Sequence, residues 1–316
     1  MDAHPLKLRV QSVVAETPVI RSVVFGVEGG AVPQWQAGAH IRVLLPGGGD
    51  RPYSLMALPD LPTGAVALGV LREEASTGGS QFMHALQVGD VVSATAPVNN
   101  FALHEGTAPA LLFAGGIGIT PILSMAAELK AQGTRYRLHY AGRMPGLLAF
   151  LPQLQAMCSD GLAVHYDSDE SRLDIPAALG DAPADAHVYV CGPAGLIDAV
   201  KAAALARGIP ADRIHFELFK AQQPGIPNAP FEVELRSTGQ VVTVAADQSI
   251  IQALEAAGFD VLYDCQRGDC GICQCGVIAG VPDHRDVILS DDEKASNKVM
   301  QICVSRAKSE RLVLDL

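Results

Sequence analysis

Near its C-terminus the chain carries Cys265, Cys270 and Cys273, and a fourth cysteine, Cys303, follows after 29 intervening residues. Four residues separate the first pair and two the second, the ligand spacing of a plant-type [2Fe–2S] cluster. Such a cluster takes four thiolates and passes electrons one at a time. The loop 265–273 could wrap one edge of it, with Cys303 arriving from another element. Gly268, Gly271 and Gly276 suit a tight loop, because glycine admits positive φ and lets backbone amides approach sulfur closely. Contacts of that kind help to set the potential, about −400 mV in plant-type clusters. A four-cysteine zinc site or a disulfide knot are the structural uses of the same residues. Zinc sites usually present two CxxC-like knuckles, and only the Cys270/Cys273 pair resembles one. Cys275 falls outside the pattern and reads as a packed core thiol.

A second set of residues suits phosphates and flat rings. Residues 110–114 read as a buried strand that ends in Gly115-Gly116-Ile117-Gly118-Ile119-Thr120-Pro121 and runs into a helix. Glycines at a strand-to-helix turn let a pyrophosphate approach the backbone, where the helix N-terminus offers free N–H groups. Pro121 suits the first helical turn. The spacing is not GxGxxG, and the turn alone equally describes a tight βα connection. A second strand end, Val190-Cys191-Gly192-Pro193, also runs from sheet into helix, and in an open α/β sheet such ends border the ligand crevice. In Arg51-Pro52-Tyr53-Ser54-Leu55 an arginine fork could clamp a phosphate. Its tyrosine could stack on a heterocycle and its serine could bond a ring nitrogen, although the five residues also pass for ordinary β structure. Thr77-Gly78-Gly79-Ser80 precedes a short helix over 81–86 and is a second phosphate cradle in form. His84 on that helix is a candidate for the same phosphate.

Three kinds of element must position these groups. Short alternating or apolar runs at 8–14, 41–45, 66–71 and 91–94, punctuated by Gly/Pro turns, read as a small antiparallel β-barrel. From about residue 108, strands at 110–114, 135–141, 162–165, 187–191 and 214–217 alternate with helices at 121–132, 150–157 and 194–207. That is a βαβ progression with a mainly parallel sheet. A Pro-rich stretch, 221–230, is the best linker. Strands at 231–236 and 241–245, then a helix at 250–257, lead into the cysteine loop. The expected domains are therefore 1–104, 105–221 and 231–316, with 222–230 as the linker.

Composition bounds the rest. A chain of 316 residues, 49% hydrophobic, is long enough for two or three domains. A net charge of −11 argues against nucleic acid. The last 86 residues hold 14 acids against 8 bases, so more than half of that charge lies beside the cysteines and could steer a redox partner. No apolar run is long enough for a membrane span, and the N-terminus lacks a secretory pattern. Seven cysteines, of which Cys158, Cys191 and Cys275 stay outside the cluster, fit a reducing cytoplasm. The histidines His139, His165 and His215 have no metal spacing and read as core or surface residues. The acids Asp291, Asp292 and Glu293 follow Ser290, an N-cap in form, and so complement a helix dipole.

Taken together, RPYSL, GGSQFMH, GGIGITP, CGP and the CxxxxCxxC…C cluster resemble, in order and over essentially the whole chain, the phthalate dioxygenase reductase and vanillate demethylase reductase-like proteins. These are flavin–NAD–[2Fe–2S] reductases that feed Rieske-type oxygenases. The resemblance implies an antiparallel β-barrel flavin domain, an α/β parallel-sheet NAD domain and an α+β β-grasp ferredoxin domain. It implies that Arg51 and Ser80, with the backbone of Gly78 and Gly79, hold the flavin phosphate. Tyr53 would pack on the isoalloxazine, Ser54 would bond near N5, and Leu55 would join them among the cofactor-binding residues. Thr120 would stand where the nicotinamide arrives. Gly115, Gly116 and Gly118 would accommodate the dinucleotide, and Cys191, Gly192 and Pro193 would line the nicotinamide pocket. Phe219 would close the nucleotide domain, as a flavin neighbour or a packed aromatic.

The implied cofactors are FMN, with FAD as the alternative, the [2Fe–2S] cluster, and NADH, with NADPH as the alternative. Arg143, after the second nucleotide strand, could accept a 2′-phosphate, whereas Asp167 and Asp169 would disfavour one. The implied partner is the terminal Rieske oxygenase, with neither nucleic acid nor membrane involved. A relay serving another acceptor, and a non-enzymatic carrier or sensor with a vestigial nucleotide domain, are the rival readings. Intact GGIGITP and CGP speak against the second rival.

Overall fold

The computed structural model describes residues 5–30, 33–74, 76, 78–158, 161–180, 182–219 and 228–316. Most of the expected linker and Thr77 lie outside the described residues. The chain divides into two compact units, Met1–Glu217 and Leu218–Leu316. Among the described residues no helix is long and apolar enough to cross a membrane.

The first unit begins with β1 (Leu6–Ala15), β2 (Ile20–Val27), β3 (Ala39–Leu44), β4 (Asp50–Met56) and β5 (Ala65–Leu71). Helix α1 (Gly79–Ala85) and strands β6 (Val91–Ala94) and β7 (Val98–Asn99) follow. The strands pair in the order β4-β5-β2-β1-β6-β3-β7, and a further β3–β4 pairing closes the sheet on itself. Closure removes the free edges that an open antiparallel sheet would expose. The inward positions of alternating strands fill the barrel: Leu8, Val10, Val23, Phe25, Ile41, Val43, Leu55, Val66 and Leu68 are all essentially buried.

Strand β8 (Ala110–Gly115) opens the parallel sheet, followed by α2 (Ile119–Ala131), β9 (Tyr136–Gly142), α3 (Leu151–Cys158) and β10 (Leu162–Tyr166). Then come α4 (Ile175–Gly180), β11 (His187–Cys191), α5 (Ala194–Ala206) and β12 (Ile214–Glu217). All neighbours run parallel in the order β10-β9-β8-β11-β12. Strand order reverses between β8 and β11, so the crevice of this doubly wound sheet opens at their C-terminal ends. Every residue of β8 is buried, as an apolar run covered on both faces must be. Short α4 was not anticipated, because six residues carry too little periodicity to register.

The second unit holds β13 (Phe231–Leu235), β14 (Val241–Val244), α6 (Ile250–Ala256) and β15 (Gln274–Ala279). It continues with β16 (Pro282–Asp283), α7 (Asp291–Ser296), β17 (Val299–Gln301), β18 (Arg306–Ala307) and β19 (Arg311–Asp315). Its main sheet has the order β14-β13-β19-β15-β17, with β13 and β19 parallel and the remaining pairs antiparallel. Helix α6 lays Ile250, Ile251, Ala253 and Leu254 into the core of this β-grasp. Ser249 and Gln252 close a capping box at its start, and Ser290 with Glu293 does the same for α7. The acids after Ser290 thus serve the helix terminus.

Candidate functional site

The cysteine loop lies between α6 and β15, and Cys303 follows β17. Cys265, Cys273 and Cys303 are buried and Cys270 partly so. Their sulfurs interact in pairs, Cys265 with Cys270 and Cys303, and Cys273 with Cys303. Hydrogen bonds from Cys270 and Cys303 hold the Cys265 thiol well below its usual range, and one from Cys303 lowers Cys273. The donors Cys270 and Cys303 are pushed up by the same bonds. Among the described residues no three His, Cys, Asp or Glu side chains converge on a single ion position. Four thiols linked in this way, Cys265 with Cys270 and Cys303 and Cys273 with Cys303, are in number and type the donor set of a [2Fe–2S] cluster, and the residues fit that group.

The loop backbone turns toward the sulfurs. Arg267 N–H donates to Cys265 Sγ at 3.3 Å, and the N–H of Ile272 serves Cys270. Three residues take positive φ to achieve this: Gln266 (54°), Gly268 (82°) and Gly271 (78°). Gly268 is also confined, since a Cβ there would stand 2.7 Å from Val304 Cγ2 and 3.0 Å from Asp286 Cα. Val287 N donates to Gly268 O at 3.0 Å. The Asp286 carboxylate, 3% exposed, accepts from Leu289 N (2.9 Å) and Ser305 Oγ (3.3 Å), and Lys294 Nζ donates to its carbonyl. This buttress under the loop was not singled out from the sequence, where an Asp in a mixed polar segment carries no distinguishing signal. Asp269, next to Cys270, accepts from Leu218 N at 2.7 Å and is paired with Arg267 at 3.5 Å. Burial pushes its carboxyl up to about 7 against the pull of Arg267. Cys275 is 6% exposed inside the core, and burial lifts its thiol to about 12.

In the first unit β4 presents Arg51, Tyr53, Ser54 and Leu55. The Arg51 side chain lies over Gly79, where a Cβ would come within 2.5 Å of Arg51 Cγ. RPYSL and the GGS turn are thereby one place. Arg51 Nη1 donates to Asp50 O at 2.6 Å. Gly78, at φ 102°, donates its N–H to Ser76 Oγ at 3.1 Å. Ser80 Oγ accepts from Glu73 N at 3.1 Å and bonds Ser76 Oγ at 3.0 Å. Tyr53 is half-buried against the barrel core, and burial raises its phenol to about 12 over the opposing pull of Arg51. An arginine over a glycine turn, with a half-buried tyrosine two residues on, fits a phosphate joined to a planar ring. Ser54 is nearly enclosed, and Leu55 is fully buried, with its carbonyl accepting from Ser124 Oγ at 2.8 Å. His84 corrects an expectation. Its Nε2 sits 2.9 Å from Val70 O, its carbonyl accepts from Arg21, and burial lowers its pKa, so the ring is committed to β5.

At the switch point the two strand ends interlock. A Cβ on Gly118 would lie 2.2 Å from Cys191 O, and one on Gly115 would lie 2.7 Å from Pro193 Cδ. A Cβ on Gly192 would meet Gly115 Cα at 3.0 Å. Gly116 differs, with φ 54° and open space around it. It is the position in GGIG with an open side, and a 3-10 turn over Gly116–Gly118 leads from it into α2. Thr120 is 1% exposed, its Oγ1 donating to Ile117 O at 3.1 Å and its methyl packed on Gly69. Cys191 is wholly buried and Pro193 exposed. Gly69 was missed, although a glycine inside a strand signals a close approach. Beside the crevice, Asp167 follows β10 and its N–H donates to Gly142 O at the end of β9 (2.9 Å), while its carboxylate lies 4.0 Å from exposed Arg172. Asp169 Oδ1 accepts from Ser171 N and Oγ, bonds that keep its carboxyl below the usual range.

Comparison with known proteins bears on the same motifs. Residues 233–308 match the family model described as "2Fe-2S iron-sulfur cluster binding domain". The chain is 45% identical over 296 residues to vanillate O-demethylase oxidoreductase of Pseudomonas sp. (strain HR199 / DSM 7063), covering 92% of each protein. The chain belongs to the phthalate dioxygenase reductase and vanillate demethylase reductase-like family. The solved phthalate dioxygenase reductase, a modular structure for electron transfer from pyridine nucleotides to [2Fe–2S], is similar with a TM-score of 0.77 and 35% identity. The match covers 99% of this chain and 98% of that one. An intact type IV self-sufficient cytochrome P450 monooxygenase gives the same TM-score and identity over 99% of this chain, which spans only 41% of that protein. As a member of this family the chain is an oxidoreductase, with a barrel flavin domain, a parallel-sheet NAD domain and a [2Fe–2S] ferredoxin domain.

Proposed function

We propose that the protein is an NADH-dependent reductase that uses FMN and its [2Fe–2S] cluster to supply single electrons to the Rieske centre of a terminal oxygenase, such as a demethylase or ring-hydroxylating enzyme. When bound, these groups would supply the conversion of a two-electron hydride from NADH into single electrons for the cluster. The observation that carries the proposal is the contact of Arg51 with Gly79, which joins RPYSL and GGS into one cradle beside Tyr53. Arg51 and the turn amides hold the phosphate, and Tyr53 supports the ring. A single compact cradle of this kind suits FMN, without the adenine-binding extension that FAD would use.

The remaining residues orient and enclose. Gly116 admits the nucleotide backbone at the crevice, while Gly115 and Gly118 hold the Cys191–Gly192 turn against it. Thr120, packed on Gly69, fixes the start of α2 relative to the barrel strand β5. The carboxylate of Asp167, just after β10 and hydrogen-bonded through its backbone to the end of β9, disfavours a 2′-phosphate, and this supports NADH over NADPH. Domain limits of 1–104, 105–221 and 231–316, with the linker at 222–230, follow the element order, and a cytoplasmic location suits the free cysteines.

One experiment tests the whole reading. Anaerobic NADH titration, followed by absorbance and electron paramagnetic resonance, should bleach the flavin and then give a reduced-cluster signal. The flavin released on denaturation should elute chromatographically as FMN. A cluster spectrum with no bleaching by NADH would refute the reductase assignment. Reduction of a haem protein in preference to a Rieske oxygenase would favour the second acceptor class, to which the likeness to the P450 fusion points.

A further inference from the structure

Gln301 ends β17 two residues before Cys303, and its side chain is wholly buried. It lies directly across from Gln274 in the antiparallel β15–β17 pair. Gln301 Nε2 donates to Gln274 Oε1 at 3.0 Å, and Cys273 Sγ stands 3.5 Å from Gln301 Oε1, a distance at which a thiol donates. Gln274 is itself exposed, so its amide can exchange this bond for one of the opposite sense with water completing its remaining partners.

Iron changes what Gln301 must do. A cysteine sulfur bound to a cluster is a thiolate, with no proton to give and a growing negative charge on reduction. An amide oxygen held against it in a buried site of low dielectric would be repelled. The two ends of a primary amide are nearly the same shape, and which one faces a neighbour is decided by the hydrogen-bond partners. Half a turn of the Gln301 amide presents Nε2–H to sulfur and Oε1 to Gln274, whose free amide turns over in concert to donate. Every polar atom of the pair then keeps a partner.

We propose that Gln301 is a positioning residue for the cluster: its amide donates N–H···S to Cys273 and thereby favours the reduced state. This rests on the four cysteines being the cluster ligands, which the visible spectrum of the purified protein reports independently. A wild-type protein without a cluster spectrum would refute that assignment and not this inference alone.

The test is a redox titration of the full-length protein followed by cluster absorbance. In Gln301→Leu, with iron content and oxidised spectrum retained, the reduced-to-oxidised ratio at a fixed poise should fall about tenfold, equivalent to about 59 mV for one electron. Gln301→Met, which has a similar length and carries no N–H donor, should shift the ratio in the same direction and by a similar factor. A ratio within about threefold of wild type in a cluster-bearing Leu variant would overturn the proposal. Should both variants fail to assemble a cluster, wild-type protein labelled with side-chain 15N-glutamine decides. Pulsed electron paramagnetic resonance of the reduced cluster should then show a 15N coupling, and its absence would likewise overturn the proposal.

Discussion

Two of the glycine-rich turns at the candidate sites, the nucleotide turn and the cysteine loop, need glycine for different reasons. In the nucleotide turn, Gly115 and Gly118 have ordinary torsions, φ −120° and −60°. What forbids a side chain there is the Cys191–Pro193 turn packed 2.2–2.7 Å from where the Cβ would be. In the cysteine loop, Gly271 has φ 78° and meets nothing closer than 3.8 Å, so its constraint is torsional. One turn is a joint between two strand ends, and the other is a bent strip of backbone with its amides aimed at sulfur. The same residue type therefore marks two sites that should fail in different ways.

The sharpest separation is expected from Cys303→Ser. Removing the one ligand outside the loop should abolish cytochrome c reduction, while bleaching of the flavin by NADH continues. Loss of both activities would show that the cluster is not downstream of the flavin. Next in size is Gly118→Ala. The obstacle is a backbone carbonyl, which cannot swing aside, so the cost should reach the upper part of the overpacking range, about 3 kcal/mol. Thermal unfolding followed by the fluorescence of Trp35, the sole tryptophan, which packs on the barrel core, should show a midpoint several degrees lower. The cluster spectrum should be unchanged. A midpoint equal to wild type would mean that the two strand ends are not locked together.

Elements whose patterning is local were legible in the sequence, and partnerships across strands were not. The apolar run of β8, the helix 194–207 and the capping signal at Ser290 each depend on neighbours within a few positions. The cysteine spacing was legible because three of the four share one loop. By contrast, Arg51 meets Gly79 from 28 positions away, and Thr120 meets Gly69 from 51. Gln301 and Asp286 are polar residues whose importance lies wholly in what the fold brings to them. The histidines make the same point. His139, His165 and His215 showed no spacing that linked them, yet His139 Nδ1 lies 3.0 Å from His165 Nε2, and His187 Nδ1 lies 3.0 Å from His215 Nε2, on adjacent parallel strands.

Those pairs give the third prediction, in which the nucleotide sheet should be acid-sensitive. Burial lowers His139 to about 4, helped by His165 and Arg137, and burial lowers His215 to about 4, helped by His187 and His104 and opposed by Asp212. Both folded values lie below the unfolded value near 6.5, so the unfolded chain binds more protons in between. The contribution is fully present above about pH 6.5 and is lost as pH falls toward 4, by about 2 kcal/mol for the more enclosed His139. Unfolding monitored at Trp35 should therefore show a midpoint that drops between pH 7 and pH 5. His139→Phe should flatten that slope, and an equally steep slope in the variant would place the acid sensitivity elsewhere.

The smallest effects give the finest comparison. Gly116→Ala and Gly271→Ala both place an L residue at positive φ, 54° and 78°, without a steric clash. Each should cost about 1 kcal/mol in backbone strain, so stability alone should not distinguish them. Function should. Alanine at 116 puts a methyl group into the open space where the nucleotide backbone approaches, and it should raise the KM for NADH several-fold while leaving the cluster potential alone. Alanine at 271 should leave the KM unchanged and disturb only the cluster, because its neighbours are the ligand Cys270 and the amide of Ile272 that serves it. If Gly116→Ala left the KM untouched, the GGIG turn would be no more than a tight βα connection, and the dinucleotide would have to enter the crevice from the Gly192 side.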